Sequence, residues 1–239
     1  MRPLGIIDRV TYSQFAGLSM GGFMEGIEER KAIIIACREL EACGFITGTW
    51  GNVSIRLEGG FLLTPSRVEY AAMQPEDIVL VGMDGLKISG EWNPSSEKEV
   101  HRQIYNKRPD IGAIVHCHST YASAVSAAGV DIPPFLEEIS QLIGDGIRCT
   151  KDYVRAGEHE RLGEQAAAYI YDNLAVLLVN HGPVCCGKDL DEAMLCCKVV
   201  EKVARIFLSL EPGLGAKIIP AEAVALEHDR YINTYGKEE

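Results

Sequence analysis

Ile111-Gly-Ala-Ile-Val-His-Cys-His118 and Ala175-Val-Leu-Leu-Val-Asn-His-Gly182 decide how this chain is read. Both are short runs rich in Val, Ile and Leu, and such runs form buried strands. Side chains alternate faces along a strand, so residues i and i+2 point the same way. His116 and His118 therefore share a face, while Cys117 faces the opposite side and is not counted as a ligand. The second run can bring His181 to the same place. Three neutral imidazoles suit zinc and leave a fourth position open for substrate.

The rest of the chain gives this pair of strands a context. Gly26 to Cys43 carries apolar residues at helical spacing and ends at Gly44. Val53 to Leu57 alternates, turns at Gly59-Gly60 and returns through Phe61 to Thr64 as a hairpin. Asp77 to Gly82 is a further strand, turned at Asp84-Gly85. Helices are expected over Glu97 to Lys107 with Ser96 as cap, Ala122 to Ala128, Glu158 to Asn173 and Asp189 to Leu210. No internal repeat or linker interrupts this pattern. The expectation is an irregular extension over residues 1–23 and a single α/β domain over 24–239.

Composition excludes several classes of function. Apolar content of 47% over 239 residues is ample for one sizeable core. A net charge of -11 with no basic run argues against nucleic acid. An acidic chain that binds an anion must do so with a few local groups. No apolar stretch reaches membrane-spanning length, and the N-terminus lacks a signal-peptide core. The eight cysteines form no Cys-x-x-Cys pair and read as small buried residues in a reducing cytoplasm.

Polar clusters sit between the apolar segments. Pro94-Ser-Ser-Glu97 pairs two hydroxyls with the amides of an incipient helix, which suits an anion or a plain capping motif. His101 lies one turn beyond Glu97 on the same face. A packing or surface role suits it better than a fourth ligand position. Thr49-Trp-Gly-Asn52 and Thr64-Pro-Ser-Arg67 are polar loops whose backbone could approach a phosphate.

Taken in order, Gly48-Thr-Trp-Gly-Asn-Val-Ser-Ile-Arg56, Leu63-Thr-Pro-Ser66, Pro75-Glu-Asp-Ile-Val79, Asp84-Gly85, Pro94-Ser-Ser-Glu97, His101, His116-Cys-His118 and Asn180-His-Gly182 form a specific series. It resembles the class II aldolase/adducin family over roughly residues 25 to 237. The resemblance implies a three-layer α/β/α domain around a largely antiparallel sheet. It implies a homotetramer with active sites at subunit interfaces.

The resemblance also implies roles. His116, His118 and His181 would hold a divalent metal, normally zinc, and Glu97 would be the acid/base residue. Asn52, Ser66, Ser95 and Ser96 would surround the phosphate of a sugar substrate, with Thr49 and Gly51 shaping that loop. Thr234-Tyr-Gly236 matches the family's C-terminal tail, so Tyr235 would close over the site of a neighbouring subunit. The implied reaction is reversible cleavage of a fuculose-1-phosphate-like ketose 1-phosphate to dihydroxyacetone phosphate and an aldehyde, through a metal-stabilised enediolate. No lysine stands near these motifs for a Schiff base.

Three departures bear on the substrate. Arg67 stands where the aldolases carry Gly beside the phosphate, and arginine is an excellent anion fork. Trp50 matches the family's epimerases. The aldolases' interface tyrosine falls at about Glu137. The alternatives are a 4-epimerase, dehydratase or decarboxylase of a sugar phosphate, and a non-catalytic module like the adducin head. Glu97 favours aldolase over epimerase, which carries Asp there. The three histidines count against a module that has lost its chemistry.

Overall fold

An eight-stranded sheet carries the chain, with helices on both of its faces. The computed structural model describes residues 25–210 and 215–234. The expected extension over 1–23 and Tyr235 lie outside the described residues. The strands are β1 (Asn52–Leu57), β2 (Gly60–Leu63), β3 (Val79–Gly82), β4 (Lys87–Ser89), β5 (Ala113–His116), β6 (Arg148–Cys149), β7 (Ala175–Leu178) and β8 (Gly182–Gly187). Their order is β4-β3-β2-β1-β5-β8-β7-β6. Every neighbouring pair is antiparallel except β6 and β7. The sheet is therefore largely antiparallel, as expected.

Strict alternation of two apolar faces explains why the sheet is covered on both sides. Val53, Leu62, Leu80, Ala113, Val115, Cys117 and Leu177 point into one core, beneath α1 (Ile27–Ala42), α3 (Thr120–Ala128) and α5 (Leu190–Ser209). Phe61, Leu63, Val81, Ile114, Val176 and Val184 point into the other, beneath α2 (Lys98–Lys107) and α4 (His159–Ile170). A strand with apolar residues on both faces must be sandwiched between helices, which gives the three layers. The opposed orientation expected for Cys117 holds. It joins the α1/α3/α5 core, and its thiol faces Cys197.

Several boundaries differ from the sequence reading. The His116 strand stops at His116, and Cys117 and His118 follow it as an irregular segment. The strand before His181 stops at Leu178, so His181 lies in the turn between β7 and β8. Helix α2 begins at Lys98, with Glu97 in the cap position and no side-chain cap bond. Ser96 is thus not the cap. The nearest equivalent is Ser95, whose Oγ accepts from the Glu97 N–H at 3.3 Å. β4, β6, β8 and a last helix, α6 (Ala221–Asn233), were not anticipated. α6 lies against a π-helical turn at Ile139–Ile143.

Candidate metal and anion site

The site begins with register. Asn52, the first residue of β1, is the cross-strand partner of His116, the last residue of β5. Val184 of β8 is the partner of His116 on its other side. His116 is thereby fixed from both flanks and is fully buried. Its Nδ1–H donates to the Pro183 carbonyl at 2.8 Å, which leaves the Nε2 lone pair facing the site. The backbone N–H of His118 donates to the Phe45 carbonyl at 2.9 Å, which holds the segment after β5 in place.

Two glycines permit the close approach. A Cβ on Gly182 would stand 2.5 Å from the Cys117 carbonyl oxygen, so only glycine lets the β7–β8 turn bring His181 beside His118. Gly51 has φ 139°, and a Cβ there would press on Ile46 at 2.9 Å and on the His116 carbonyl at 3.0 Å. The preceding Asn180 supplies the left-handed turn at φ 58° that an Asn tolerates.

The three imidazoles converge. Their ligand atoms lie within 4.8 Å of one another. Ring centroids are separated by 5.1 Å for His116 and His118, 4.8 Å for His116 and His181, and 4.9 Å for His118 and His181. Burial pushes the His116 imidazole down to about 3 and lowers that of His118, so both offer neutral nitrogens at pH 7. Three convergent imidazoles, one oriented by a backbone carbonyl, fit a divalent ion of the zinc type. Among the described residues this is the one cluster of such groups.

Glu97 covers the same face. Its carboxylate oxygens lie 3.1 Å from His181 Nε2 and 3.4 Å from His116 Nε2. Asn52 Nδ2 donates to Glu97 Oε2 at 2.7 Å. Burial opposes the negative charge, while positive charge held at the imidazole cluster and the Asn52 hydrogen bond favour it and keep the carboxyl below its ordinary range. His101 is neither a surface residue nor a fourth ligand. It is fully buried under the site, bonded through Nε2 to Asn52 Oδ1.

The polar loops meet beside this cluster. Ser66 N–H donates to the Asn93 carbonyl and Ser95 N–H to the Thr64 carbonyl, both at 3.0 Å, so the 64–67 and 93–96 loops are zipped together. Ser66 Oγ donates to the Pro94 carbonyl at 3.0 Å. Ser95 is buried and Ser96 is exposed. Thr49 sits in the turn that Trp50 N–H closes onto the Thr47 carbonyl at 3.3 Å. The Tyr70 hydroxyl, which the sequence reading passed over, donates to the Gly51 carbonyl and ties this loop down. Arg67 is exposed and holds φ 63°, a left-handed conformation that costs a non-glycine residue about 1 kcal/mol or more. Trp50 is 67% exposed, with its ring 6.4 Å from that of His118. Glu137 is exposed.

Residues 31–208 match the family described as Class II Aldolase and Adducin N-terminal domain. A 5-deoxy-D-ribulose 1-phosphate aldolase of Bacillus thuringiensis serovar kurstaki is 34% identical over 82% of this chain and 91% of its own length. An L-fuculose phosphate aldolase of Haemophilus influenzae is also 34% identical, over 89% of this chain and 97% of its own. Among solved structures, an L-fuculose 1-phosphate aldolase superposes with a TM-score of 0.81 at 28% identity, covering 85% of this chain and 95% of the other.

Proposed function

The chain belongs to the class II aldolase and adducin family, and from that premise we propose that it is a zinc-dependent aldolase. Its reaction is the reversible cleavage of a ketose 1-phosphate into dihydroxyacetone phosphate and an aldehyde. The observation that carries the reading is the convergence of His116, His118, His181 and Glu97 on one point beside two zipped hydroxyl-rich loops. Both relatives are named as aldolases of a sugar phosphate, which supports the ketose phosphate class.

In this reading His116, His118 and His181 hold the ion. When bound, the ion supplies Lewis-acid stabilisation of the negative charge that carbon–carbon cleavage leaves on the ketone fragment. Glu97 moves the proton to and from the carbon that loses the aldehyde. Asn52, Ser66, Ser95 and Ser96 bind the phosphate, with Thr49 and Gly51 shaping the loop. The chain works as a homotetramer with sites at subunit interfaces, and Tyr235 closes over the site of a neighbour to exclude water. Eight unpaired cysteines, with Cys43 alone of them exposed, suit a reducing cytoplasm. No helix among the described residues is long and apolar enough to cross a membrane.

The test is a cleavage screen in which released dihydroxyacetone phosphate is reduced by a coupled NADH enzyme. Fuculose 1-phosphate and 5-deoxyribulose 1-phosphate are offered, with ribulose 5-phosphate as control. NADH consumption with a ketose 1-phosphate is expected. Isomer formation from ribulose 5-phosphate, with neither ketose 1-phosphate cleaved, would replace the aldolase with an epimerase.

Arg67 is assigned the outer side of the phosphate. Arg67→Gly removes a charge-assisted hydrogen bond, so KM for the phosphorylated substrate should rise by a factor equivalent to about 1.5–3 kcal/mol. Glycine accepts the left-handed backbone but adds unfolded-state freedom, so the melting temperature should change little. An unchanged KM would show that Arg67 points away from the anion.

A further inference from the structure

A buried line of hydrogen bonds runs from Glu97 away from the site, and its directions are all determined. Asn52 donates through Nδ2 to Glu97, so Oδ1 is the acceptor that faces His101. His101 must then donate through Nε2. It is fully buried, and burial pushes its imidazole down to about 4, so it is neutral and carries one ring proton. Its Nδ1 is therefore an acceptor, and Ser54 Oγ donates to it at 2.6 Å. Ser54 has no second proton, so the Tyr105 hydroxyl donates to Ser54 Oγ at 2.7 Å. The line reads Tyr105 to Ser54 to His101 to Asn52 to Glu97, with every donor pointing toward the carboxylate.

The far end is anchored. Tyr105 is buried on α2 beneath the Arg56 guanidinium, which lies 4.5 Å from the ring centroid. That guanidinium is itself held by the carbonyls of Ile111, Tyr105 and Arg108 at 2.7, 2.7 and 2.9 Å. Neither Ser54 nor Tyr105 reaches the imidazole cluster.

We infer that His101 is a positioning residue that locks the Asn52 amide with its NH2 group facing the site. The inference rests on the phosphate assignment made above. One Nδ2 proton goes to Glu97, and the second remains to meet the substrate anion. Without the His101 donor, the amide can rotate by half a turn and present its oxygen to Glu97 and phosphate alike. Two anions would then face an acceptor instead of a shared donor. His101 thus acts through Asn52, on both the carboxylate and the anion.

The test uses the full chain with its metal and inorganic phosphate as probe, titrated calorimetrically into five proteins: wild type, His101→Leu, His101→Gln, Asn52→Ala and the Asn52→Ala/His101→Leu double variant. Loss of one charge-assisted donor predicts that His101→Leu weakens phosphate binding about 10- to 100-fold. His101→Gln restores an N–H at the Nε2 position and should stay within about threefold of wild type. The double variant should be no weaker than Asn52→Ala, because both substitutions remove one device. Nitrogen-15 spectra of the wild-type histidines should include a neutral ring protonated at Nε2 that is absent from His101→Gln. That readout needs neither substrate nor a soluble His101→Leu protein.

Equal losses in His101→Leu and His101→Gln, additive losses in the double variant, or an Nδ1-protonated His101 would each overturn the lock. So would a wild type that binds no phosphate. If phosphate binding and the tautomer are as stated but no ketose phosphate is cleaved, the lock stands and the aldolase reading falls.

Discussion

Glu97→Gln is expected to fold, retain its metal and lose about 10²- to 10⁴-fold in kcat, the usual worth of a positioned acid or base. The amide keeps the shape of the carboxyl and can still accept from Asn52 Nδ2 through its oxygen. It cannot take up or release the proton. The structure removes one competing explanation for a defect, because Glu97 makes no side-chain cap bond to α2. A loss of activity would therefore not be a loss of helix. Thermal unfolding and elemental analysis of the same protein separate the cases. A stable, metalled variant with near-normal turnover would show that Glu97 is not the proton-transfer group.

His118→Ala should have an effect of similar size by a different route. It removes one of three nitrogen donors and is expected to take bound divalent ion from about one per subunit to near zero. His118 is the better choice over His116, which is fully buried and whose loss would open a cavity in the sheet. Catalysis should fall to background, and the melting temperature should approach that of chelator-treated wild type, because a ligand that binds only the folded state stabilises it. Full metal retention with unchanged activity would exclude His118 from the site.

Much of this was legible in the sequence because apolar pattern and buried strands go together. The two His-terminated runs are the inner strands β5 and β7 and the segments that follow them, and both lie between helix layers where Ala113 to Val115 and all of β7 are apolar and buried. The amphipathic helices α1, α4 and α5 were found to within a few residues for the same reason. β4 left no such trace, since Lys87, Ile88 and Ser89 are all exposed at a sheet edge. β6 is two residues long and exists through pairing with β7. β8 is Gly-Pro-Val-Cys-Cys-Gly, whose glycines and proline read as a turn although the whole strand is buried. α6 buries Val224 alone, so its face is faint, although Pro220 ahead of a run of helix formers was a usable signal.

In the site, alternation identified His116 and His118, but His181 was positioned by a turn whose tightness depends on Gly182. Sequence spacing placed His101 on the face of Glu97 without showing its partner. That partner, Asn52, is 49 residues away and becomes adjacent only through the β1–β5 register. Ser54 and Tyr105 were invisible for the same reason. A serine in an alternating strand and a tyrosine in an apolar helix face both read as ordinary packing.

The most direct measurement of the central claim needs no knowledge of the aldehyde. Dihydroxyacetone phosphate is incubated in D2O with the metal-loaded enzyme, and its proton spectrum is followed. An aldolase of this type must remove a proton from the hydroxymethyl carbon of that ketone to make it a nucleophile. One of the two hydrogens there is expected to exchange for deuterium with wild type. Neither should exchange with Glu97→Gln, His118→Ala or chelator-treated protein. Wild-type enzyme with a full complement of metal and no exchange would contradict the assignment of this site to carbon–carbon bond cleavage.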